Sequence, residues 1–401
     1  MTGARASPGS PPDDAGRPLV VVFGGSGFYG RYLVEDLLRH TDAEVAIASR
    51  RPEPALAGFS RFRSGGAQVS GLRCDIRDGE SVHAAAAGAS VVVHAAGPFR
   101  DLPLAPLEAA IARGIGYVDI AEDREFARTV RSREGAILAS GATALTGISV
   151  SPAMEALVGA LFRPRFERLA SIRTFAAPDT RRHRGAAMFD TMLWGVGREY
   201  RLPRGGRSGR VHGWTEPEWA DFPPPFERRL TYLVHDMANL DLLPELLGVE
   251  TVEFKAGSEM PWLNRLLGLA ARIRRRFGVP RWEAVTPIVR ALSRAVGLFG
   301  RDEGGVVFEM GGTRDGKPHR IRFAVTAEVD GGRIPVALAG IAVEEMLAQR
   351  IDRRGLVPVD SWVDPERLTE GLLRRGLSLW WQTGDLPWQP FELAHLGLTD
   401  G

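Results

Sequence analysis

Over the first third of the chain, uninterrupted apolar runs alternate with stretches of helical period. Leu19-Val20-Val21-Val22-Phe23 is apolar without a break, the pattern of a strand buried on both faces. Apolar residues then recur at Leu33, Val34, Leu37 and Leu38, which is the spacing of an amphipathic helix. The alternation repeats. Strands are expected at 44–49, 68–74, 90–94, 116–120 and 136–139, with helices from about Glu80, over 106–113 and over 124–133. Such alternation builds a right-handed parallel sheet, so the fold class expected is α/β, a Rossmann-type doubly wound sheet.

Past residue 150 the pattern changes. A helix is expected over 153–162, with Ser151 as N-cap and Pro152 as its first residue. Strands are expected at 169–175, 251–256 and 305–310. Residues 321–329 alternate at period two and should pair with the preceding strand through the turn Arg314-Asp315-Gly316-Lys317. That alternation predicts a second, α+β domain whose largely antiparallel sheet is solvated on one face. Helices are expected at 334–349 and 365–375. Residues 179–229 read as irregular, their aromatics and prolines suiting a lid, a pocket wall or plain packing.

A chain of 401 residues exceeds one ordinary core. The division expected is a disordered tail at 1–17, a nucleotide-binding domain at 18–150, a substrate domain at 151–332 and C-terminal helices at 333–401. A net charge of +2 does not argue for nucleic acid. One cysteine, Cys74, excludes an intrachain disulfide and a cysteine-based zinc cluster. No metal-ligating spacing is present. With neither a signal-peptide pattern nor an apolar run of membrane length, a cytoplasmic location is expected. The stretch 261–301 departs from the average, with nine arginines against the single acid Glu283. Its apolar residues recur at helical spacing, which suits peripheral contact with an anionic membrane or grip on an acidic ligand; an ordinary helix with a solvated basic face has the same pattern.

The first strand leads into Gly24-Gly25-Ser26-Gly27-Phe28-Tyr29-Gly30 and then a helix. Glycines 25, 27 and 30 have the G-x-G-x-x-G spacing, in the strand–turn–helix setting that a dinucleotide pyrophosphate requires. The second strand ends in Ser49-Arg50-Arg51, where an NAD site would place a carboxylate for the ribose 2′-hydroxyl. A hydroxyl and two guanidiniums suit a 2′-phosphate, so NADP is expected over NAD, solvated arginines being the competing reading. Asp75 is a candidate for the adenine amino group, and Asp78 for a helix cap. Ala95, Ala96, Gly97, Pro98 and Phe99 follow the fourth strand, where small residues let backbone lie against a flat ligand. The cofactor-binding set is therefore Gly24, Gly25, Ser26, Gly27, Phe28, Gly30, Ser49, Arg50, Arg51, Asp75, Ala96, Gly97, Pro98 and Phe99.

These motifs, with Val91-Val92-Val93-His94 and Tyr117-Val118-Asp119, stand in an order and spacing that resembles the saccharopine dehydrogenase-like oxidoreductases. The resemblance is specific over about residues 18–155, weaker around 333–377 and poor between 160 and 300. It implies a nicotinamide-binding Rossmann domain joined to an α/β domain, substrate in the cleft between them, and C-terminal helices against the first domain.

Hydride transfer asks the protein for positioning and a proton. The Tyr-x-x-x-Lys pair of short-chain dehydrogenases is absent, since neither Lys255 nor Lys317 has a tyrosine four residues before it. Candidate acids near the cofactor are His94, Tyr117 and Asp119, each with a packing role as the competing reading. The function expected is an NADPH-dependent reductase transferring hydride to a C=C or C=N bond of a hydrophobic or acyl, lipid-like small molecule. The alternatives are a saccharopine-type amino-acid imine reductase, with carboxylate-binding arginines among Arg181, Arg182 and Arg184, and a non-catalytic NADP sensor. A homodimer is compatible with any of these.

Overall fold

The computed structural model describes residues 16–181, 186–278, 287, 289, 291 and 297–396. Of the expected tail only Gly16 and Arg17 fall among them, and Arg182 and Arg184 lie outside the described residues, as does most of 279–296.

Two sheets organise the chain. The strands of the first are β1 (Leu19–Phe23), β2 (Glu44–Ser49), β3 (Val69–Arg73), β4 (Val91–His94), β5 (Gly116–Asp119) and β6 (Thr143–Leu145). Around them lie α1 (Phe28–His40), α2 (Glu53–Ala57), α3 (Ser60–Ser64), α4 (Gly79–Ala85), α5 (Ala105–Arg113), α6 (Arg124–Arg131) and α7 (Glu134–Ser140). All the pairs of this sheet are parallel, in the order β6-β5-β4-β1-β2-β3. The chain runs outward from β1 to β3 and then crosses to β4 on the other side. That reversal opens a crevice between the carboxyl ends of β1 and β4, the position for a ligand in such sheets.

One strand differs from expectation. Residues 136–139 belong to α7, and the sixth strand is β6. The run Ala136-Ile137-Leu138-Ala139 is apolar but made mostly of good helix formers. Only one side of it is covered, Ile137 being buried and Leu138 60% exposed. Gly141, at φ 73°, then ends the helix in the left-handed conformation.

The second sheet and its surroundings take α8 (Glu155–Phe162), β7 (Arg168–Ala177), α9 (Ala186–Gly195), β8 (Glu199–Arg204), β9 (Arg207–His212), β10 (Glu218–Ala220), β11 (Arg229–Leu233), α10 (Asn239–Leu247), β12 (Thr251–Ala256), α11 (Pro261–Phe277), β13 (Gly304–Arg314) and β14 (Lys317–Ala327), with β8 and β9 pairing only with each other as a separate hairpin. Further on are β15 (Gly355–Leu356), β16 (Ser378–Thr383) and β17 (Gln389–Pro390). Its order is β10-β11-β12-β7-β13-β14-β16-β17, antiparallel except where β12 pairs with β7. β13 and β14 join through the expected turn at Asp315-Gly316. One face carries Glu253, Arg173, Glu309 and Arg322 directly opposite one another on successive strands, with N–O separations of 3.0, 3.1 and 2.7 Å. Alternating charge across neighbouring strands is favourable, which lets this row sit largely covered, Glu253 and Glu309 both being buried.

Two other expectations are corrected. Residues 179–229 are not irregular throughout, since they hold α9, the β8–β9 hairpin and β10. The hairpin turns at Gly205-Gly206, both with positive φ, the signature of a two-residue hairpin turn. Ser151 does not cap a helix, because α8 starts at Glu155. Ser151 instead sits extended at φ −122°, ψ 131°, as the residue before a proline prefers.

The C-terminal stretch is shared between the sheets. The Ile334–Leu347 helix is buried along most of its length and packs on α1, β4 and β5. β15 extends the first sheet beside β6, whereas β16 and β17 complete the second. A buried ion pair, Arg375 Nε to Asp36 Oδ1 at 2.9 Å, ties α1 to the end of the Pro365–Arg374 helix.

Candidate active site

A cavity of about 1470 Å³ runs from the end of β1, over the carboxyl ends of the first sheet, into a chamber beneath α9 and α11. Its first half is built by the glycine turn. Gly24 has φ +82°, and a Cβ there would lie 2.5 Å from the backbone nitrogen of Ala96, so the turns after β1 and β4 touch only because Gly24 carries no side chain. At Gly30 a Cβ would lie 2.0 Å from the Gly24 carbonyl oxygen, which lets α1 start directly against the turn. The helix has a glycine N-cap with no side-chain cap, and its first bond runs from Arg31 N–H to the Gly27 carbonyl. Gly27 thus places no capping side chain over the start of the helix, where the positive end of the helix dipole points.

Of the expected cofactor residues, Gly24, Ser26, Gly27, Phe28, Ser49, Arg50, Arg51, Asp75, Ala96, Gly97, Pro98 and Phe99 line the cavity. Gly25 and Gly30 do not; they shape the turn from behind, Gly25 against Ile47 and Val34. Ser49 Oγ is buried without a hydrogen-bond partner, an orphan hydroxyl at the site expected for a 2′-phosphate. Arg50 and Arg51 beside it are exposed and have no carboxylate partner among the described residues. Asp78 caps α4 by accepting the Glu80 N–H at 3.1 Å, while Asp75 stays on the cavity edge with the Arg77 N–H on its Oδ1. A bare cradle for a diphosphate, an orphan hydroxyl and two free cations together fit NADP.

The three candidate acids stand elsewhere. None of them lines the cavity, and all are sealed from solvent. His94 is packed between the rings of Phe99 and Phe126 at 4.8 and 5.6 Å, and burial lowers its pKa to about 3, leaving it neutral. Asp119 Oδ1 accepts the N–H groups of Ala121 and Gly147, both at 2.9 Å, stapling the end of β5 to the loop after β6. Tyr117 lies alongside it, its phenol held protonated by burial. These positions put His94, Tyr117 and Asp119 under the floor of the cleft, apart from its lining.

What the cavity presents instead is Glu122, three residues beyond Asp119. Its carboxylate accepts from Ser149 Oγ at 3.0 Å and faces the N–H of Ser151. Burial outweighs both bonds and raises its pKa to about 7. Behind the wall, Glu155 is fully buried, accepting from Thr174 Oγ1 at 2.5 Å and Asn239 Nδ2 at 3.1 Å, and burial raises its pKa to about 8. The Glu122 carbonyl accepts the Ala238 N–H at 2.9 Å, and Arg124 bonds Asp236 at 2.8 Å and also Asp241, locking this wall to α10. Sequence reading stopped at the strand end, and the signal it passed over was a carboxylate in the following loop, where ligands of this architecture lie.

The chamber in the second half is apolar. Phe189, Met192, Trp194, Trp214, Leu263 and Leu267 line it, with His235, Ser258 and Asn264 as polar points. Among the described residues, the cation reaching into this half is Arg100, over the Trp194 ring at 5.1 Å. Arg181 is exposed and does not line the cavity.

Comparison with known proteins agrees with this geometry. Residues 20–148 match the family model of the saccharopine dehydrogenase NADP binding domain. A lipid droplet localized protein of Caenorhabditis elegans is 35% identical over 108 residues, 25% of each chain. A saccharopine dehydrogenase-like oxidoreductase of Bos taurus is 30% identical over 124 residues, 27% of this chain and 29% of its own. The chain thus matches little more than a quarter of the length of these relatives. The fold of the yeast saccharopine dehydrogenase (L-Glu forming) from Saccharomyces cerevisiae superposes with a TM-score of 0.65 at 14% identity, covering 92% of this chain and all of that one. The resemblance expected from the sequence is therefore shown for the nucleotide-binding domain, whose coenzyme is NADP, and the two-sheet architecture is that of the yeast fold.

Proposed function

We propose, from the premise of a saccharopine dehydrogenase-type NADP-binding domain, that the protein is an NADPH-dependent oxidoreductase reducing a C=N bond in a substrate with an apolar body. The observation carrying this reading is one continuous cavity from the glycine turn to the aromatic chamber. When bound, the reduced nicotinamide supplies a hydride to the substrate carbon. The residues after β1, β2 and β4 hold the coenzyme, and the chamber orients the substrate and excludes water.

Between the bonds considered, the names of the relatives support C=N over the C=C of an acyl chain. The lining qualifies the amino-acid form of that reading. Among the described residues of the chamber, the second sheet and its helices contribute no arginine or lysine, so a substrate carboxylate would meet Arg100 alone. An imine with an apolar body fits better than one flanked by several carboxylates.

A lipid surface is the partner that α11 suits. Its buried face, Asn264, Gly268 and Ala271, packs toward β11, while Trp262, Leu266, Leu269, Ile273 and Phe277 form an exposed stripe at helical spacing. Arg265, Arg272, Arg275 and Arg276 are exposed beside it without ion-pair partners among the described residues. Apolar stripe and unpaired cations together suit an anionic interface. Leu266 belongs to the cavity lining as well as the stripe, so the chamber opens toward that surface. The lipid droplet localization named for the C. elegans relative supports this reading. Among the described residues no helix is long and apolar enough to cross a membrane.

The deciding experiment is calorimetric titration with NADPH and NADH, followed by NADPH oxidation with the cyclic imine phenylpyrroline. NADPH should bind more tightly, and R50A and R51A should each weaken NADPH by about tenfold while leaving NADH nearly unchanged. Equal affinity for the two coenzymes would remove the 2′-phosphate assignment.

A further inference from the structure

A reduction of this kind consumes a proton as well as a hydride, and among the described residues the groups able to supply one inside the cavity are few. Asp123 is committed to capping α6, accepting the Phe126 N–H at 2.8 Å. His235 is held neutral, burial lowering it to about 4. Asp179 lines the cavity on the far side, at the end of β7. Glu122 lies on the near wall, over the end of β5. The topology says which half of the coenzyme it meets. With the diphosphate at the turn after β1 and the 2′-phosphate beside Arg50 and Arg51 after β2, the adenosine half lies toward β3. The nicotinamide half must then run the other way, over the ends of β4, β5 and β6, where Glu122 and Ser149 face the cavity.

We propose that Glu122 is the proton donor of the reduction, a role that rests on the C=N reading above. The hydride brings two electrons and one hydrogen to the substrate carbon, the C=N π bond breaks, and its electron pair becomes available on nitrogen. The Glu122 O–H then breaks toward that pair, forming N–H and leaving Glu122 as a carboxylate. Ser149 Oγ and the Ser151 N–H are in place to hold that carboxylate, and solvent returns its proton when the cavity empties. A group that titrates near neutrality is suited to this exchange. The charged groups sharing its surroundings are Asp123 and Arg100 on the same wall, His235 on the segment bridged to it, Asp236 held by Arg124, and Glu155 behind.

The test needs no substrate. The oxidised nicotinamide ring is positive and the reduced ring neutral, while their phosphates are the same. Calorimetry in buffers of different ionisation enthalpy should therefore show NADP⁺ binding releasing more protons than NADPH binding, by up to about half a proton near neutral pH. E122Q should abolish the difference and keep NADPH affinity, E122D should retain part of it, and E155Q, altering the carboxyl behind the wall, should keep it. A difference that survives in E122Q, or is absent from the wild type, would overturn the proposal. With phenylpyrroline, E122Q should lower kcat by about a hundredfold or more, and the wild-type rate should fall as pH rises through the Glu122 titration. A wild type that releases the proton but leaves the imine untouched would sink the C=N reading and the donor role with it; full imine activity in E122Q would sink the donor role alone.

Discussion

Glu155 and Asp119 are both buried carboxyls, yet they differ in what holds them. Glu155 has a pKa raised from 4.5 to about 8, so in the folded protein it keeps its proton in a range where the unfolded chain has lost it. The folded state binds more protons there, and stability must fall as pH rises through that window, by about 1.4 kcal/mol per pH unit from this group. Urea unfolding of wild type and E155Q from acid to mildly alkaline pH should show the slope flattening in the variant. An unchanged slope would mean that Glu155 ionises freely. Asp119 is a staple, and what matters is an acceptor oxygen for two buried N–H groups. D119A should cost about 2–3 kcal/mol, whereas D119N, which keeps one carbonyl oxygen, should cost clearly less. Thermal melts of the pair distinguish an acceptor role from an ionic one.

At the scale of elements, α11 shows two unlike faces on one helix. Its inner face is defined by close packing, Gly268 lying where a Cβ would come within 2.7 Å of the Tyr232 ring. Its outer stripe leaves Trp262 at 56% and Phe277 at 74% exposure, a large apolar surface for water to cover. Neither residue lines the cavity, so W262A/F277A should leave coenzyme affinity unchanged. The same variant should lose most of its co-sedimentation with vesicles of phosphatidylglycerol and phosphatidylcholine. Wild-type sedimentation that is equally absent from anionic and neutral vesicles would dismiss the lipid surface. The glycine turn is the contrasting element, legible because its constraint is local. Gly30 must be bare whatever the rest of the chain does, since its neighbour is the Gly24 carbonyl six residues earlier.

Across the whole molecule, the cavity wall is assembled from both sheets, and ion pairs set their relation. Arg124 on α6 reaches Asp236 and Asp241, and Arg131 reaches Glu245 on α10 at 2.6 Å. Removing Arg124 strips the part-buried Asp236 of its cation and leaves Asp241 paired with Arg128 alone. In R124A, amide hydrogen exchange should quicken across α6 and α10 while β1, β4 and β5 keep their protection. Uniform quickening would instead indicate a global loss of stability.

Much of the nucleotide-binding half was written in the sequence, because its signals are short-range. Five consecutive apolar residues, a glycine turn and a helical period each act within one or two elements. The arginine pair that follows β2 is likewise fixed by its neighbours in the chain. Where local signals conflicted, reading failed: Ala136–Ala139 is apolar enough for a strand, and only partial coverage by the sheet makes it a helix. Tertiary structure alone decided which groups line the cleft. His94, Tyr117 and Asp119 sit at strand ends as a catalytic group would, but the floor of the sheet closes over them, while Glu122 emerges beyond it. Burial and the path of a loop are sums over many distant contacts, and no spacing of residues along the chain encodes them.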